Sequence, residues 1–356
     1  MSFYFLQLII FLLYSLFFGF FKSNLLKIYY CFATIHLSIV MGLRAYWVGV
    51  DTKMYVNVFL TQNTSFNGNG ILVYNFLNKI VWLLTNGNYH VMLFVLSFLT
   101  VSLFILSLNE LKYDFLNSFL AIYMYITFYY YFESFNIQRQ MLAVSFAMFS
   151  ISQFLKQRNI RGTIYLLLGI GIHSTALLAL INLFLIKIGR SKKMLGLTIV
   201  FSLILILNIE KFLNIFTSLF NHYDMYTVIL ENGLMSAAGG TFLLGIFFGV
   251  IALITYLLTD VFEEKTFAFT FFATVITSIF YLTGFHSQLL IRIANYFSIF
   301  SLGFVPAAIR KISNRFSEGR IICILGFMMV IMVGFSIMYY KLSNNFGGIV
   351  PYSTGM

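Results

Sequence analysis

The chain has 356 residues, of which 60% are hydrophobic, 19% aromatic and 9% charged, with a mean hydropathy of +0.91. A soluble domain carries about 25% charged residues, so this composition excludes one and implies a polytopic membrane protein of about ten helices at about 20 residues per crossing. Two prolines, two cysteines and no charged tail exclude a disordered protein, a disulfide scaffold and a zinc ribbon. The formal charge of +11 is read as topology under the positive-inside rule, with no nucleic-acid partner.

In chain order, apolar runs of spanning length occur at 3–21, 28–43, 88–107, 115–132, 136–154, 194–209, 236–258, 267–283, 293–309 and 321–340. The expected fold is therefore all-α, a single integral membrane domain over 1–356. The first run has no basic leader and no small-residue cleavage site, so it is expected to be retained. Lys22 and Lys27, then Lys156, Arg158 and Arg161, then Arg310, Lys311, Arg315 and Arg320 all favour the cytoplasm, which puts the amino terminus outside. External segments are then expected at 44–87 and 210–235.

Residues 162–186 resist a single crossing, because Arg158 and Arg161 precede them and Lys187, Arg190, Lys192 and Lys193 follow. A re-entrant hairpin resolves this, with two half-helices meeting at Gly169, Gly171, His173 and Ser174. Broken backbone at membrane depth is tolerated where protein buries it or a polar cavity adjoins it. One straight helix that violates the charge rule is the alternative.

Two external segments have the pattern of interfacial helices. In 70–85, Asn75, Asn78 and Lys79 oppose Leu72, Phe76, Ile80 and Leu83. In 211–222, Asn214, Thr217, Ser218 and Asn221 oppose Leu213, Phe216 and Phe220.

Charged groups in or beside apolar helices cost about 2.5–3.5 kcal/mol at the bilayer centre, so they are functional candidates. Arg44 and Asp51 lie on the outer rim after the second run. Glu133 precedes Asn136, Arg139 and Gln140, which are spaced i, i+3, i+4 at the start of the fifth run. His173 lies at the hairpin tip, and Arg292 with Tyr296, four apart, opens the ninth run after His286. All fall on one side of the expected topology. Arginines that grip phosphate oxygens, beside a carboxylate, suit a diphosphate and a proton acceptor. The structural alternatives are an Arg139–Glu133 pair, Arg292 reaching the headgroups, and His173 bonding freed backbone. His222 and His286 read as rim residues. No metal-ligand spacing, nucleophile elbow or P-loop is present, and no metal or cofactor is expected.

The order Arg44 to Tyr55 (R-x4-G-x-D-T-x2-Y), Asn136 to Ala143 (N-x2-R-Q-x-L-A), a basic turn at 156–161, Gly171-Ile-His173-Ser-Thr-Ala-Leu and Arg292-x3-Tyr296 resembles the EpsG-like family of exopolysaccharide and O-antigen polymerases, the Wzy type. The resemblance extends over most of residues 40–310, and Pro351-Tyr352 looks like the family's external end. It implies action on undecaprenyl-diphosphate-linked oligosaccharides at the outer face of the cytoplasmic membrane, in an arrangement similar to C-type membrane glycosyltransferases. It also implies possible chain-length regulator and flippase partners, beside membrane lipid. In the reading it supports, Asp51 is the general base, with His173 or Glu133 as alternatives. Arg44, Tyr55, Asn136, Arg139, Gln140, Arg292 and Tyr296 would hold substrate. The alternatives are a flippase of the same lipid-linked oligosaccharide, or a transferase or ligase using a prenyl-linked sugar. A flippase is disfavoured by charges gathered at one face and by the lack of a visible duplicated half.

Overall fold

The computed structural model describes residues 1–21, 25–62, 72–188, 191–208, 211, 240–283 and 288–355. Lys22, Arg190, His222, His286 and the expected interfacial helix and external segment beyond Lys211 lie outside the described residues. The described residues are helical, with no strand among them.

Among the described residues, six helices are long and apolar enough to cross a membrane: α1 (Ser2–Phe20), α5 (Tyr89–Glu110), α12 (Gly240–Leu258), α13 (Lys265–Thr283), α14 (Gln288–Ser313) and α15 (Gly319–Ser343). The other four runs expected to span also appear as helices or parts of them, in α2 (Leu26–Gly42), α6 (Phe115–Thr127), α8 (Gln138–Leu155) and α11 (Lys192–Leu207). Side chains sort as a lipid environment requires. α1 exposes Leu6, Ile9, Leu13 and Leu16 while burying Tyr4, Leu8, Phe11 and Ser15. Interior hydroxyls such as Ser97, Thr100, Thr274 and Thr277 donate to the carbonyl four residues back, which satisfies them within their own helix.

Two expected runs are interrupted. The 115–132 run stops at Thr127, and a short helix, α7 (Tyr130–Asn136), follows. Tyr129 between them has φ +82, a conformation that costs a residue with a Cβ roughly 1–2 kcal/mol. Its surroundings hold it there: the Tyr129 hydroxyl donates to the Phe346 carbonyl at 2.7 Å, and Lys341 Nζ lies 4.8 Å from its ring centroid. A second break at Ile137 ends α7 at Asn136 and starts α8 at Gln138. Asn136 therefore does not share a helix face with Arg139 and Gln140, which corrects the expected i, i+3, i+4 triplet.

The break expected near Gly169–Ser174 is present. α9 (Asn159–Ile172) ends at an extended His173 (φ −152, ψ 120), a 3-10 turn covers Ser174–Leu178, and α10 (Ala179–Ile188) follows. At 1.5 Å per residue α9 and α10 are about 21 and 15 Å long. Each is shorter than the roughly 30 Å hydrocarbon core.

α4 (Leu72–Thr85) forms a helix within the expected 70–85 segment, and its side chains divide differently from the sequence pattern. Tyr74, Asn78 and Val81, at i, i+4 and i+7, are buried in the protein, while Leu72, Phe76, Leu83 and Leu84 are exposed. Lys79 is exposed as expected, but Asn78 faces inward and the apolar side faces out. Close packing on α9 fixes this orientation. A Cβ on Gly171 would come within 2.4 Å of Val73 Cγ2, so glycine is needed for the approach.

The chain divides into two compact units, residues 1–176 with 328–356, and residues 177–327. In the second, α13 packs against α11, α12 and α14. Ser278 Oγ donates to the Gly245 carbonyl at 2.8 Å where α12 and α13 meet. Arg292 is half-buried there, and the carbonyl of buried Tyr296 accepts from Asn182 Nδ2 at 2.9 Å.

In the first unit, α2 packs on α5, α5 on α8 and α8 on α9. Tyr4 at the start of α1 donates to Ile349 O at 2.8 Å, and Tyr352 donates to Val40 O near the end of α2 at 2.9 Å. Tyr123 of α6 donates to Ile331 O of α15 at 2.7 Å. These contacts bring the start of α1 and the ends of α2 and α15 to one end of the bundle. At the opposite end Lys156 pairs with Glu110, and Arg158 Nη1 lies 3.3 Å from the same carboxylate. The rise along α8 from Arg139 to Lys156 is about 26 Å, close to a hydrocarbon thickness of about 30 Å.

Candidate active site at one end of the first unit

The α7–α8 break leaves the Phe135 carbonyl outside regular helix bonding, and the Arg44 motif closes around it. Arg44 Nη2 donates to Phe135 O at 3.2 Å and to Gln138 Oε1 at 3.3 Å, while Nη1 donates to Met41 O. Thr52 Oγ1 donates to the same Phe135 oxygen at 2.9 Å and to Val48 O at 2.8 Å. Gly49, at φ +97, completes the cradle. A Cβ there would lie 2.7 Å from Phe135 O and 2.7 Å from Thr52 Oγ1. The R-x4-G-x-D-T spacing thus wraps one loop around a single carbonyl.

Arg44 is fully buried, with its guanidinium carbon 5.1 Å from the Phe135 ring centroid. Burial lowers its pKa to about 10, which leaves it a cation at neutral pH. No carboxylate pairs with it among the described residues.

The carboxyl-terminal tail forms the other wall. Gly348 O and Gly347 O accept from the backbone N–H groups of Gly49 and Val50, each at 3.0 Å, and Ser353 O accepts from Ala45 N at 2.7 Å. Tyr352 stacks on Phe3 at 3.9 Å between centroids. Only Pro351-Tyr352 hinted at this in the sequence; the backbone pairing of tail and loop has no local signature.

Asp51 sits at the N-cap of α3 (Thr52–Thr61), but its side chain makes no capping hydrogen bond. Its backbone N–H donates instead to Asn136 Oδ1 at 2.9 Å, so Asn136 ties the Asp51 loop to the end of α7. One turn on, Tyr55 faces the same way as Asp51, and the Arg139 guanidinium carbon lies 5.6 Å from its ring centroid and 5.4 Å from that of Tyr74. Arg139, in the first turn of α8, is thereby framed by two aromatic faces, an arrangement that suits a planar cation.

His173 reaches the same level by register. Ser150 Oγ bonds Gly162 O at 2.6 Å, and Gly169 lies against Phe146 and Ala143. The antiparallel α8–α9 pairing carried on from these contacts sets His173 opposite Arg139. Its Nδ1 is hydrogen-bonded to Thr175 Oγ1 at 2.7 Å. Asp51, Tyr55, Asn136, Arg139 and His173 are thus brought to one end of the first unit. Gln140 is buried beside Arg139 in α8, and Arg292 and Tyr296 belong to the second unit.

Glu133 has Lys341 Nζ at 4.0 Å, a partner the sequence reading missed. Lys341 is 7% exposed near the end of an apolar helix, and a buried charge of this kind is itself the signal that could have singled it out.

A family model for EpsG matches residues 27–354. The chain belongs to the EpsG family. The match takes in both units and every motif above, and EpsG is an exopolysaccharide and O-antigen polymerase-like family. No curated protein and no solved structure matches the chain. Membership in EpsG points to a polymerase-type role in polysaccharide synthesis at a membrane, and the helices describe a multi-pass membrane protein.

Proposed function

We propose that this EpsG-family chain joins undecaprenyl-diphosphate-linked oligosaccharide repeat units into a polysaccharide at the outer face of the cytoplasmic membrane. The observation that carries this reading is Arg139 framed by Tyr55 and Tyr74, with Asp51 on the Tyr55 side of α3. In the reaction an acceptor sugar hydroxyl attacks the anomeric carbon of the growing chain. The carbon–oxygen bond to the diphosphate breaks, undecaprenyl diphosphate leaves, and Asp51 takes the hydroxyl proton. Arg139 stabilises the negative charge that develops on the leaving group, the electrostatic contribution that usually dominates such transfers. Arg44 acts as a positioning residue, because its donors hold Met41, Phe135 and Gln138. Glu133, whose carboxylate lies 4.0 Å from Lys341 Nζ, and His173 are the alternative candidates. The exposed apolar face of α4 offers the prenyl chain a path along the bundle.

Deleting the gene and separating surface glycans on a gel tests this function. Single-unit products in place of a ladder are expected. Loss of all surface glycan, single units included, would point instead to a flippase or a ligase.

The outer-face assignment follows from Lys27, Lys156, Arg158 and Arg161 at the end opposite Arg139, with α9 and α10 entering and leaving on the cytoplasmic side. Cysteines introduced at 161 and 187 should both resist an impermeant thiol reagent added from outside. Labelling of one alone would establish a full crossing.

A further inference from the structure

α2 ends at Gly42, which leaves its last carbonyls without partners inside the helix. Side chains from elsewhere take two of them. Arg44 Nη1 donates to Met41 O, and the Tyr352 hydroxyl, 312 positions along the chain from Val40, donates to Val40 O at 2.9 Å. Tyr352 therefore caps the same helix end as Arg44. Its ring is fixed as well, stacked on Phe3 at 3.9 Å between centroids and edge-on to Tyr4 at 5.8 Å. The Tyr4 hydroxyl in turn holds Ile349 O in the same tail.

The bonds of the Asp51 loop show what that anchoring controls. Val48 and Thr52 N–H donate within the loop, to Ala45 O and Gly49 O, and the Asp51 N–H goes to Asn136. Three further donors, those of Ala45, Gly49 and Val50, go to tail carbonyls of Ser353, Gly348 and Gly347. Ala45 and Gly49 are buried, so their N–H groups find no ready substitute in water if the tail withdraws. Both residues immediately before Asp51 are thus held by the tail. The tail is held by Tyr352.

Resting on the polymerase reading, we propose that Tyr352 is a positioning residue for Asp51. Its hydroxyl and ring lock the tail onto α1 and α2, the tail carbonyls fix the backbone of residues 45–50, and that backbone sets where the Asp51 carboxylate stands. A catalytic group displaced by about 1 Å can cost about 10²-fold in rate, so a residue that never meets substrate can still govern turnover.

Hydrogen–deuterium exchange on the protein in detergent reads this hold directly, in the wild type, Tyr352→Phe and Tyr352→Ala. Exchange over residues 45–50 should be about tenfold or more faster in Tyr352→Ala. A smaller rise is expected in Tyr352→Phe, which keeps the ring on Phe3 and loses the bond to Val40. Exchange across α8 should match the wild type in both. In vesicles supplied with the lipid-linked repeat unit, Tyr352→Ala should lose about tenfold or more in kcat while KM stays within about twofold, since none of these bonds involves Arg139. Unchanged exchange over 45–50 in both variants would overturn the proposal, as would faster exchange there with an unchanged kcat. Loss of protection throughout the bundle in Tyr352→Ala, with Tyr352→Phe like the wild type, would assign Tyr352 to folding and overturn it too. The exchange is read without polymerisation, so a wild type that makes no polymer refutes the polymerase reading while the hold of Tyr352 on the loop is measured separately.

Discussion

Arg139→Lys is expected to stop polymer formation almost as completely as Arg139→Ala, although it keeps the positive charge. The guanidinium lies between two rings, 5.6 Å from the Tyr55 centroid and 5.4 Å from the Tyr74 centroid. A flat, weakly hydrated cation can stack there and still offer a bidentate edge to phosphate. An ammonium is a compact, strongly hydrated point charge that can do neither. Removing one preorganised donor from developing negative charge typically costs about 10²–10³ in rate, or about 2.7–4 kcal/mol, and a loss of that order is expected of both variants. Polymer formed per unit of inserted protein is the quantity to measure. Lys79→Arg, on the exposed side of α4, should be silent in the same assay. A lysine variant with wild-type polymer yield would show that Arg139 supplies charge alone.

Arg44 illustrates how far the sequence could be read. Composition and periodicity located the ten runs that became helices, because a lipid-facing helix advertises itself by apolar length. The break at His173 was legible too, since glycines and opposed basic clusters mark it. The breaks at Tyr129 and Ile137 were not: neither glycine nor proline stands at either position. Tyr129 is held by Phe346 and Lys341, which are distant in sequence, and no local propensity reports that.

The same limit separates side chains that looked alike. Arg44 and Arg139 both read as phosphate ligands beside apolar helices. Their difference lies in the Phe135 carbonyl, which is available only because α7 ends at Asn136. Asn136 likewise changed meaning, from a member of a helix face to the acceptor for the Asp51 amide. α4 was recognised as amphipathic, but the pattern states which residues share a face and leaves open whether protein or solvent covers it. Gly171, which lets Val73 approach, decides that question.

Asp51 is the position on which the catalytic account stands. Gly49 and Thr52 fix the loop around the Phe135 carbonyl, and Asn136 holds the Asp51 amide. A structural aspartate would be replaceable by asparagine at about 1 kcal/mol or less, since the amide retains an acceptor oxygen. A general base would not, because proton acceptance contributes about 10²–10⁴-fold. The direct measurement is polymer formation by purified protein in vesicles supplied with the lipid-linked repeat unit, wild type against Asp51→Asn at equal incorporation. The wild type should build a ladder, and the variant should leave single units with a rate lower by about 10²-fold or more. A ladder from Asp51→Asn at above about a tenth of the wild-type rate, well outside what loss of a base allows, would contradict the assignment.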